Sequence, residues 1–259
     1  MSAPEGTFIW YELMTTDPAA AKAFYTQVIG WGAEQAAAPN DAYTLFTVAG
    51  PGTGRAGLMA IPPDAKAGGA RPAWLGYVAV RDVDETAARV QRDGGHLHRP
   101  PMDIPAVGRF AVVSDPQGAL FYLFKPGSDE DMPPAPPGHP GTVGWHELHA
   151  ADRETAFAFY AALFGWKKHD ALDMGPMGIY QLFGTHDLAN GGMMTKLPGV
   201  PHPFWLYYVN VADIDAASGR IAPAGGKILQ GPHQVPGGSW IVQATDPQGA
   251  LFAIVGPRA

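Results

Sequence analysis

The sequence predicts an α+β protein built by tandem duplication, with a strand–helix–strand–strand(–strand) order that occurs twice in each half. Composition and an internal repeat both support this prediction. The 33 glycines and 26 prolines among 259 residues are typical of short strands joined by frequent turns. Hydrophobic residues make up 46% of the chain, which is enough apolar surface to form a sizeable core.

The internal repeat sets the domain organisation. Residues 6–31 read GTFIWYELMTTDPAAAKAFYTQVIGW and residues 141–166 read GTVGWHELHAADRETAFAFYAALFGW, with 12 of the 26 positions identical. The segment DPQGALF occurs at residues 115–121 and again at residues 246–252. The chain therefore consists of two homologous halves.

A proline-rich stretch separates the two halves. Six prolines fall among the fifteen residues 126–140, a composition that disfavours helix and favours an extended connector. We therefore predict a first domain over residues 1–125, a linker over 126–140 and a second domain over 141–259.

Local patterns predict the elements of each half. Phe8–Met14 reads as a strand, and Asp17 follows as the N-cap of a helix that Gly30 ends in a left-handed conformation. Asp152 and Gly165 occupy the same two places in the second half. The other predicted elements of the first half are strands at Tyr43–Val48, Ala56–Ile61 and Trp74–Val80, a helix at Asp84–Asp93, and strands around Leu97, at Arg109–Val113 and at Ala119–Lys125.

Composition also restricts the class of partner. The formal net charge is −7 and no Lys/Arg cluster occurs, so we expect no nucleic-acid partner. The absence of cysteine excludes disulfides, thiolate metal sites and cysteine nucleophiles. We expect no membrane association and a cytoplasmic location, because the sequence shows no secretory signal and no apolar run of about 20 residues.

This order of elements resembles the paired βαβββ modules of the glyoxalase / bleomycin-resistance / extradiol-dioxygenase superfamily, also called the vicinal oxygen chelate superfamily. Residues 17–31, with their aspartate, Phe-Tyr pair and closing Gly-Trp, are similar to its first-helix signature. Residues 115–118 resemble its closing hairpin. The resemblance implies four βαβββ modules that form two tandem glyoxalase-like domains, each with a curled mixed sheet around a cleft.

The resemblance also implies where a metal would bind. Metal-dependent members place four ligands on the inner faces of the sheet. The corresponding positions are Trp10, Leu58 or Met59, Tyr77 and Tyr122 in the first half, and Trp145, Met193 or Met194, Tyr208 and Ala253 in the second. None of these side chains is an imidazole or a carboxylate, which are the ligands that such a metal prefers. We therefore predict that neither half binds the usual metal and that the chain uses no cofactor.

The candidate catalytic residues lie on the first strands of the two halves and are Glu12, Glu147 and His149. Strand alternation places Trp10, Glu12 and Met14 on one face, and Trp145, Glu147 and His149 on the matching face. A carboxylate among aromatic side chains is poorly solvated, which raises its pKa and suits it to general acid–base catalysis. The alternative is structural: each glutamate accepts a hydrogen bond from a backbone amide or a tyrosine hydroxyl.

A relocated metal site on Glu147 and His149 is a further alternative. Its third ligand would come from His146, His186 or His233, and alternation turns His146 to the opposite face. His149 has no counterpart in the first half. A related alternative is that the first half is a scaffold and the second half is the active one.

The predicted function is the binding of a small aromatic or amphipathic metabolite. Its binding residues are the aromatic side chains Trp10, Tyr77, Tyr122, Trp145 and Tyr208, which line the cleft or form ordinary core. The alternatives are a lyase or isomerase with a glutamate base, and the relocated metal enzyme. The partner is a small-molecule ligand or substrate, and the duplication favours a monomer or a weak homodimer.

Overall fold

The computed structural model describes residues 4–36, 43–48, 54–127, 136–185 and 188–258. Within these residues each repeat forms a mixed eight-stranded sheet with α-helices, which confirms the predicted α+β fold and the tandem arrangement. The predicted linker over residues 126–140 lies partly outside them.

The elements of the first repeat follow in chain order, within the described ranges: β1 (Phe8–Thr15), α1 (Pro18–Ile29), β2 (Gly32–Gln35), β3 (Thr44–Thr47), β4 (Gly54–Ala60), α2 (Pro63–Ala67), β5 (Ala73–Ala79), α3 (Val83–Arg92), β6 (His96–Ile104), β7 (Gly108–Ser114) and β8 (Leu120–Pro126). Those of the second repeat are β9 (Val143–Ala150), α4 (Arg153–Phe164), β10 (Lys167–Asp173), a 3₁₀ turn (Gly175–Met177), β11 (Ile179–Gly184), β12 (Gly191–Thr195), β13 (Phe204–Asn210), α5 (Ile214–Ile221), β14 (Lys227–Gln234), β15 (Trp240–Thr245) and β16 (Leu251–Gly256).

Hydrogen bonding orders the strands of the two sheets identically. The first sheet runs β2-β3-β4-β1-β5-β8-β7-β6 and the second runs β10-β11-β12-β9-β13-β16-β15-β14. In each sheet the first strand of a module pairs in parallel with the last strand of that module, as β1 does with β4 and β9 with β12. The remaining pairs within a module are antiparallel hairpins.

The predicted helix boundaries of α1 and α4 are confirmed. The Asp17 carboxylate accepts the backbone N–H of Ala20, and Gly30 ends α1 at φ 86°. The Asp152 and Gly165 pair does the same for α4. The start of α3 differs from the prediction, because Asp82 rather than Asp84 caps it. The sequence analysis missed β2 and α2, which are short and carry no apolar periodicity.

The chain divides into two compact units that combine segments of both repeats. Unit 1 comprises Met1–Ile9, Leu75–Pro133 and Trp145–Trp205. Unit 2 comprises Trp10–Trp74, Pro134–Gly144 and Leu206–Ala259. Each unit thus combines one module of the first repeat with one of the second. Unit 1 joins two consecutive modules, and unit 2 joins the first module to the last.

The core of unit 1 is an aromatic cluster around Tyr160 on α4. Its ring stacks on Trp166 at a centroid distance of 5.1 Å and meets Trp205 edge-on at 5.4 Å. The Trp166 indole N–H donates to the carbonyl of Gly6, 2.8 Å away. Gly6 has φ 81°, and a side chain there would overlap Phe164. Gly6 is therefore fixed against the end of α4 in the second repeat.

Unit 2 repeats this arrangement around Tyr25 on α1. Its ring contacts Trp31, Phe46 and Trp74, and all four side chains are buried. The Trp31 indole N–H donates to the carbonyl of Gly141, 2.8 Å away, just as Trp166 does to Gly6. Burying a large apolar side chain contributes ~1.5–3 kcal/mol, so these clusters are major sources of stability.

No helix in the described part of the chain combines the length and apolar character needed to cross a membrane.

Candidate functional site

The first strand of the second repeat, β9, separates core side chains from candidate site side chains. His146 and Leu148 are buried, and the His146 ring stacks on Phe8 at 4.5 Å. Trp145, Glu147 and His149 alternate with them and therefore point to the opposite face of the strand. The prediction that His146 is turned away from this face is confirmed.

A continuous chain of hydrogen bonds joins the side chains on this face of β9. The Trp145 indole N–H donates to the Tyr180 hydroxyl at 2.8 Å. That hydroxyl donates to Oε2 of Glu147 at 2.8 Å. The other carboxylate oxygen, Oε1, lies 2.6 Å from Nε2 of His149. Glu147 is only 7% exposed, so these bonds form where water competes little.

Neighbouring strands position Tyr180. It lies on β11, and Gly192 of β12 is the register partner of Glu147. A Cβ atom on Gly192 would overlap the Tyr180 ring, so glycine is required for the ring to lie across β12 towards the carboxylate. The sequence analysis missed Tyr180. Its available signal was the phrase Tyr-x-Leu-Phe, which occurs at residues 43–46 and 180–183.

Phe204 covers the face of the His149 imidazole. The two ring centroids are 4.5 Å apart and the ring planes differ by 9°. Phe204 is the first residue of β13 and was not singled out by the sequence analysis. The first repeat has Ala73 at the equivalent position, 131 residues earlier, so the aromatic contact is specific to the second repeat.

The corresponding face in the first repeat lies in unit 2 and is less polar. Trp10 donates its indole N–H to the Tyr43 hydroxyl at 3.1 Å, as Trp145 does to Tyr180. Glu12 is 4% exposed and is the register partner of Gly57. Met14 stands where the second repeat has His149. The tryptophan, tyrosine, glutamate and glycine of the site are therefore duplicated, whereas the histidine is not.

Strand register decides between the alternative positions on β4 and β12. Met59 pairs with Met14 and Met194 pairs with His149, so these two methionines share the face of the first-strand glutamates. Leu58 and Met193 point the other way and are fully buried. The resemblance allowed either residue of two adjacent pairs, and the residues on the face of the candidate site are Met59 and Met194.

The three tyrosines predicted to bind a ligand, Tyr77, Tyr122 and Tyr208, are buried. Tyr77 stacks on Tyr122 with ring centroids 4.1 Å apart and planes 7° apart. In the second repeat, Tyr208 pairs in register with Ala253, and its hydroxyl accepts a hydrogen bond from Gln243 at 2.8 Å. At this pair of strand positions the first repeat therefore has two stacked tyrosine rings, whereas the second repeat has one tyrosine ring and the methyl group of an alanine.

Both repeats of the chain match one known protein family. Residues 7–123 and 142–254 match the sequence profile of the Glyoxalase/Bleomycin resistance protein/Dioxygenase superfamily. The chain belongs to this superfamily. Its two matched segments correspond to the two repeats, so the resemblance stated from the sequence is confirmed over nearly the whole chain.

Several relatives align with this chain over nearly their whole length. The chain is 34% identical over 256 residues to a protein named putative glyoxylase CFP32 of Mycobacterium tuberculosis, covering 98% of this chain and 95% of that protein. It is 32% identical over 273 residues to the anthracycline biosynthesis protein DauV of a Streptomyces species, covering 96% and 93%.

Solved structures of superfamily members share the fold. A Mn(II)-bound glyoxalase from Novosphingobium aromaticivorans aligns with a TM-score of 0.64 at 19% identity, covering 100% of this chain and 83% of that one. The 2,2',3-trihydroxybiphenyl 1,2-dioxygenase of Sphingomonas wittichii aligns with a TM-score of 0.65 at 13% identity, covering 98% and 91%. At these identities the likeness concerns the fold alone.

The positions that the resemblance assigns to metal ligands carry side chains that do not match the ligands of a divalent metal of this class. The tryptophans, tyrosines, methionines and alanine found there supply no imidazole or carboxylate. Within the described ranges no three His, Cys, Asp or Glu side chains are grouped as a metal site would require. His186, one candidate third ligand, lies outside those ranges. His233, another candidate, is exposed on β14.

Proposed function

We propose that the chain binds a small aromatic or amphipathic metabolite and accepts a proton from it at the Glu147–His149 pair. The proposed chemistry uses no metal at the four superfamily positions. The observation that carries the proposal is the 2.6 Å contact between Nε2 of His149 and Oε1 of Glu147.

A carboxylate bonded to one imidazole nitrogen favours proton uptake at the other. When the neutral ring donates its Nε2–H to Glu147, the lone pair of Nδ1 is available as a base. A proton that leaves an acidic O–H or C–H of the ligand then bonds to Nδ1. The ligand becomes an anion, and the imidazolium is stabilised by the adjacent carboxylate.

The remaining members of the hydrogen-bonded chain hold the carboxylate in place. Tyr180 donates to Oε2, so Glu147 accepts bonds on both oxygens and its orientation is fixed. Trp145 donates to Tyr180 and in turn fixes that hydroxyl. Positioning by such supporting groups keeps an acid–base pair in one productive geometry.

The ligand class is inferred from the side chains on the site's strands and from the relatives. Trp145, Tyr180 and Phe204 supply flat apolar surface next to a polar centre, which suits a planar ligand with an ionisable group. One relative, DauV, is named as an anthracycline biosynthesis protein. A hydroxylated polycyclic aromatic compound is therefore a reasonable first probe for this chain.

Titration with a dihydroxyanthraquinone tests both parts of the proposal, because its absorption changes when a phenol ionises. We expect saturable binding and a lower apparent pKa of the bound phenol than of the free compound. His149→Met, which copies the first repeat, is expected to retain binding and to reduce the ionised fraction about tenfold, equivalent to one pKa unit. His233→Gln, in an exposed histidine of β14, serves as the matched control.

Three outcomes would overturn the proposal in whole or in part. Failure of the wild-type protein to bind this probe and a panel of other hydroxylated aromatics would remove the ligand class. Elemental analysis that finds one metal ion per chain, lost on His149→Met, would replace the metal-free site by the relocated metal centre. Equal ionisation in wild type and His149→Met would show that the histidine is not the base.

A further inference from the structure

Two side chains restrain His149 from different directions. Glu147 contacts the edge of the ring at Nε2, and Phe204 lies parallel to its face at 4.5 Å. A single hydrogen bond at the edge selects which nitrogen carries the proton only while the ring keeps that edge towards the carboxylate, and rotation about the Cβ–Cγ bond of His149 would break it. A parallel aromatic ring removes this rotational freedom, because rotation would force the imidazole out of van der Waals contact.

We propose that Phe204 is a positioning residue, which fixes the plane of the His149 imidazole so that Nδ1 is the atom that accepts the proton. This inference deepens the proposed function and depends on it only for the source of the proton. Among the described residues, none is hydrogen-bonded to Nδ1 of His149, whereas Nε2 is committed to Glu147.

A second histidine in unit 1, His146, also stacks on an aromatic ring. His146 stacks on Phe8 at the same centroid distance, 4.5 Å, with planes 11° apart. Its Nδ1 is bonded to the backbone carbonyl of Asn190 at 2.8 Å, and the residue is buried in the core. The stack is therefore common to a structural histidine and to the candidate base. His149 differs from His146 because its Nε2 contacts a carboxylate and its Nδ1 is the proposed acceptor of the ligand's proton.

The first repeat differs at both positions at once. It has Met14 in place of His149 and Ala73 in place of Phe204, although the tryptophan, tyrosine and glutamate of the site are kept. Joint loss of the histidine and of its aromatic cover is expected if the phenylalanine serves the histidine. If the phenylalanine is ordinary core, it has no reason to change together with the histidine.

Nitrogen NMR of histidine-labelled, ligand-free protein tests the proposal independently of any ligand. At a pH well above the ordinary histidine pKa of about 6.5, wild-type His149 is expected to show the two separated nitrogen resonances of a single tautomer with the proton on Nε2. Phe204→Leu is expected to draw these resonances towards averaged positions, and Phe204→Tyr to restore them. Phe204→Met, whose longer and more flexible side chain fills gaps, replaces Phe204→Leu if leucine prevents folding.

Phe8→Leu is the matched control, because it removes an equivalent stack from His146. The proposal predicts that this change leaves the His149 resonances in place. A wild-type His149 with its proton on Nδ1 would overturn the inference, as would resonances that Phe204→Leu leaves unchanged. Either result would leave the ligand titration of the proposed function intact, so the two failures are distinguishable.

Discussion

The hydroxyl of Tyr160 donates a hydrogen bond to Oδ2 of Asp115 across 3.1 Å, and so joins a helix of the second repeat to a turn of the first. The same carboxylate accepts the backbone N–H groups of Gln117 and Ala119, each at 2.9 Å. Tyr25 and Asp246 form the equivalent pair in unit 2. The repeated DPQG segment forms a turn in both repeats, and its aspartate also links the two repeats.

Removing either tyrosine hydroxyl is expected to destabilise the fold. Tyr160→Phe leaves the Trp205 indole N–H and Oδ2 of Asp115 without their partner inside a buried cluster. We expect a loss of about 2 kcal/mol in the free energy of unfolding, measured by urea denaturation. Tyr25→Phe should give a similar loss, because Trp74 and Asp246 contact it in the same way. A change below about 0.5 kcal/mol in both variants would contradict this prediction.

Acid is expected to destabilise the protein through His146. Burial lowers the pKa of this imidazole to about 4. Because the unfolded chain takes up the proton near pH 6.5 and the folded chain does not, stability is retained above pH 6.5 and is lost as pH falls from 6.5 towards about 4. The full difference corresponds to about 3 kcal/mol.

Two buried carboxylates act in the opposite direction. Burial raises the pKa of Asp115 and of Asp246, so the folded state binds their protons more readily than the unfolded state does. Comparing wild type with His146→Tyr isolates the histidine, because Tyr11 occupies this position in the first repeat. The variant should show a shallower loss of unfolding free energy between pH 6.5 and about 4. Parallel curves would contradict the prediction.

The glycines beside the site tyrosines give a prediction that separates the two repeats. Gly192→Ala is expected to displace the Tyr180 ring, break its bond to Glu147 and cost roughly 1–3 kcal/mol of stability. It should also abolish the enhanced phenol ionisation. Gly57→Ala, which would displace Tyr43 in the same way, should cost similar stability and leave the ionisation unchanged.

An alanine substitution with free space around it provides the control for these variants. Gly219 lies within α5 and is exposed, and a Cβ atom added to it would meet no atom of another element within 4 Å. Gly219→Ala is expected to stabilise the protein by about 0.5–1 kcal/mol, because glycine has low helix propensity. If Gly219→Ala destabilises the protein instead, the loss of stability in Gly192→Ala and Gly57→Ala can no longer be attributed to overlap with the tyrosine rings.

The fold was predictable because its signals are local and occur twice. Asp17 and Gly30 mark a helix by capping chemistry alone, and the repeat supplies an independent second instance at Asp152 and Gly165. The site was only half predictable. Strand alternation identifies Glu147 and His149 as neighbours on one face.

The other half of the site depends on pairing between distant segments. Tyr180 reaches Glu147 only because β12 lies beside β9 with Gly192 in register, and Phe204 meets His149 from β13. No local pattern in one sequence specifies such register, so neither residue was singled out. The composition of the compact units is another such property, since each joins a module of one repeat to a module of the other.

Transferring the histidine and its aromatic cover to the first repeat is the strictest test of the difference between the repeats. Met14 lies two residues after Glu12 on the same strand face, as His149 does after Glu147. We expect Met14→His with Ala73→Phe to yield an additional histidine with its proton on Nε2 in the nitrogen spectrum. Met14→His alone should give averaged resonances, because no ring fixes its plane. Identical spectra from the single and double variants would show that the phenylalanine position does not control the histidine.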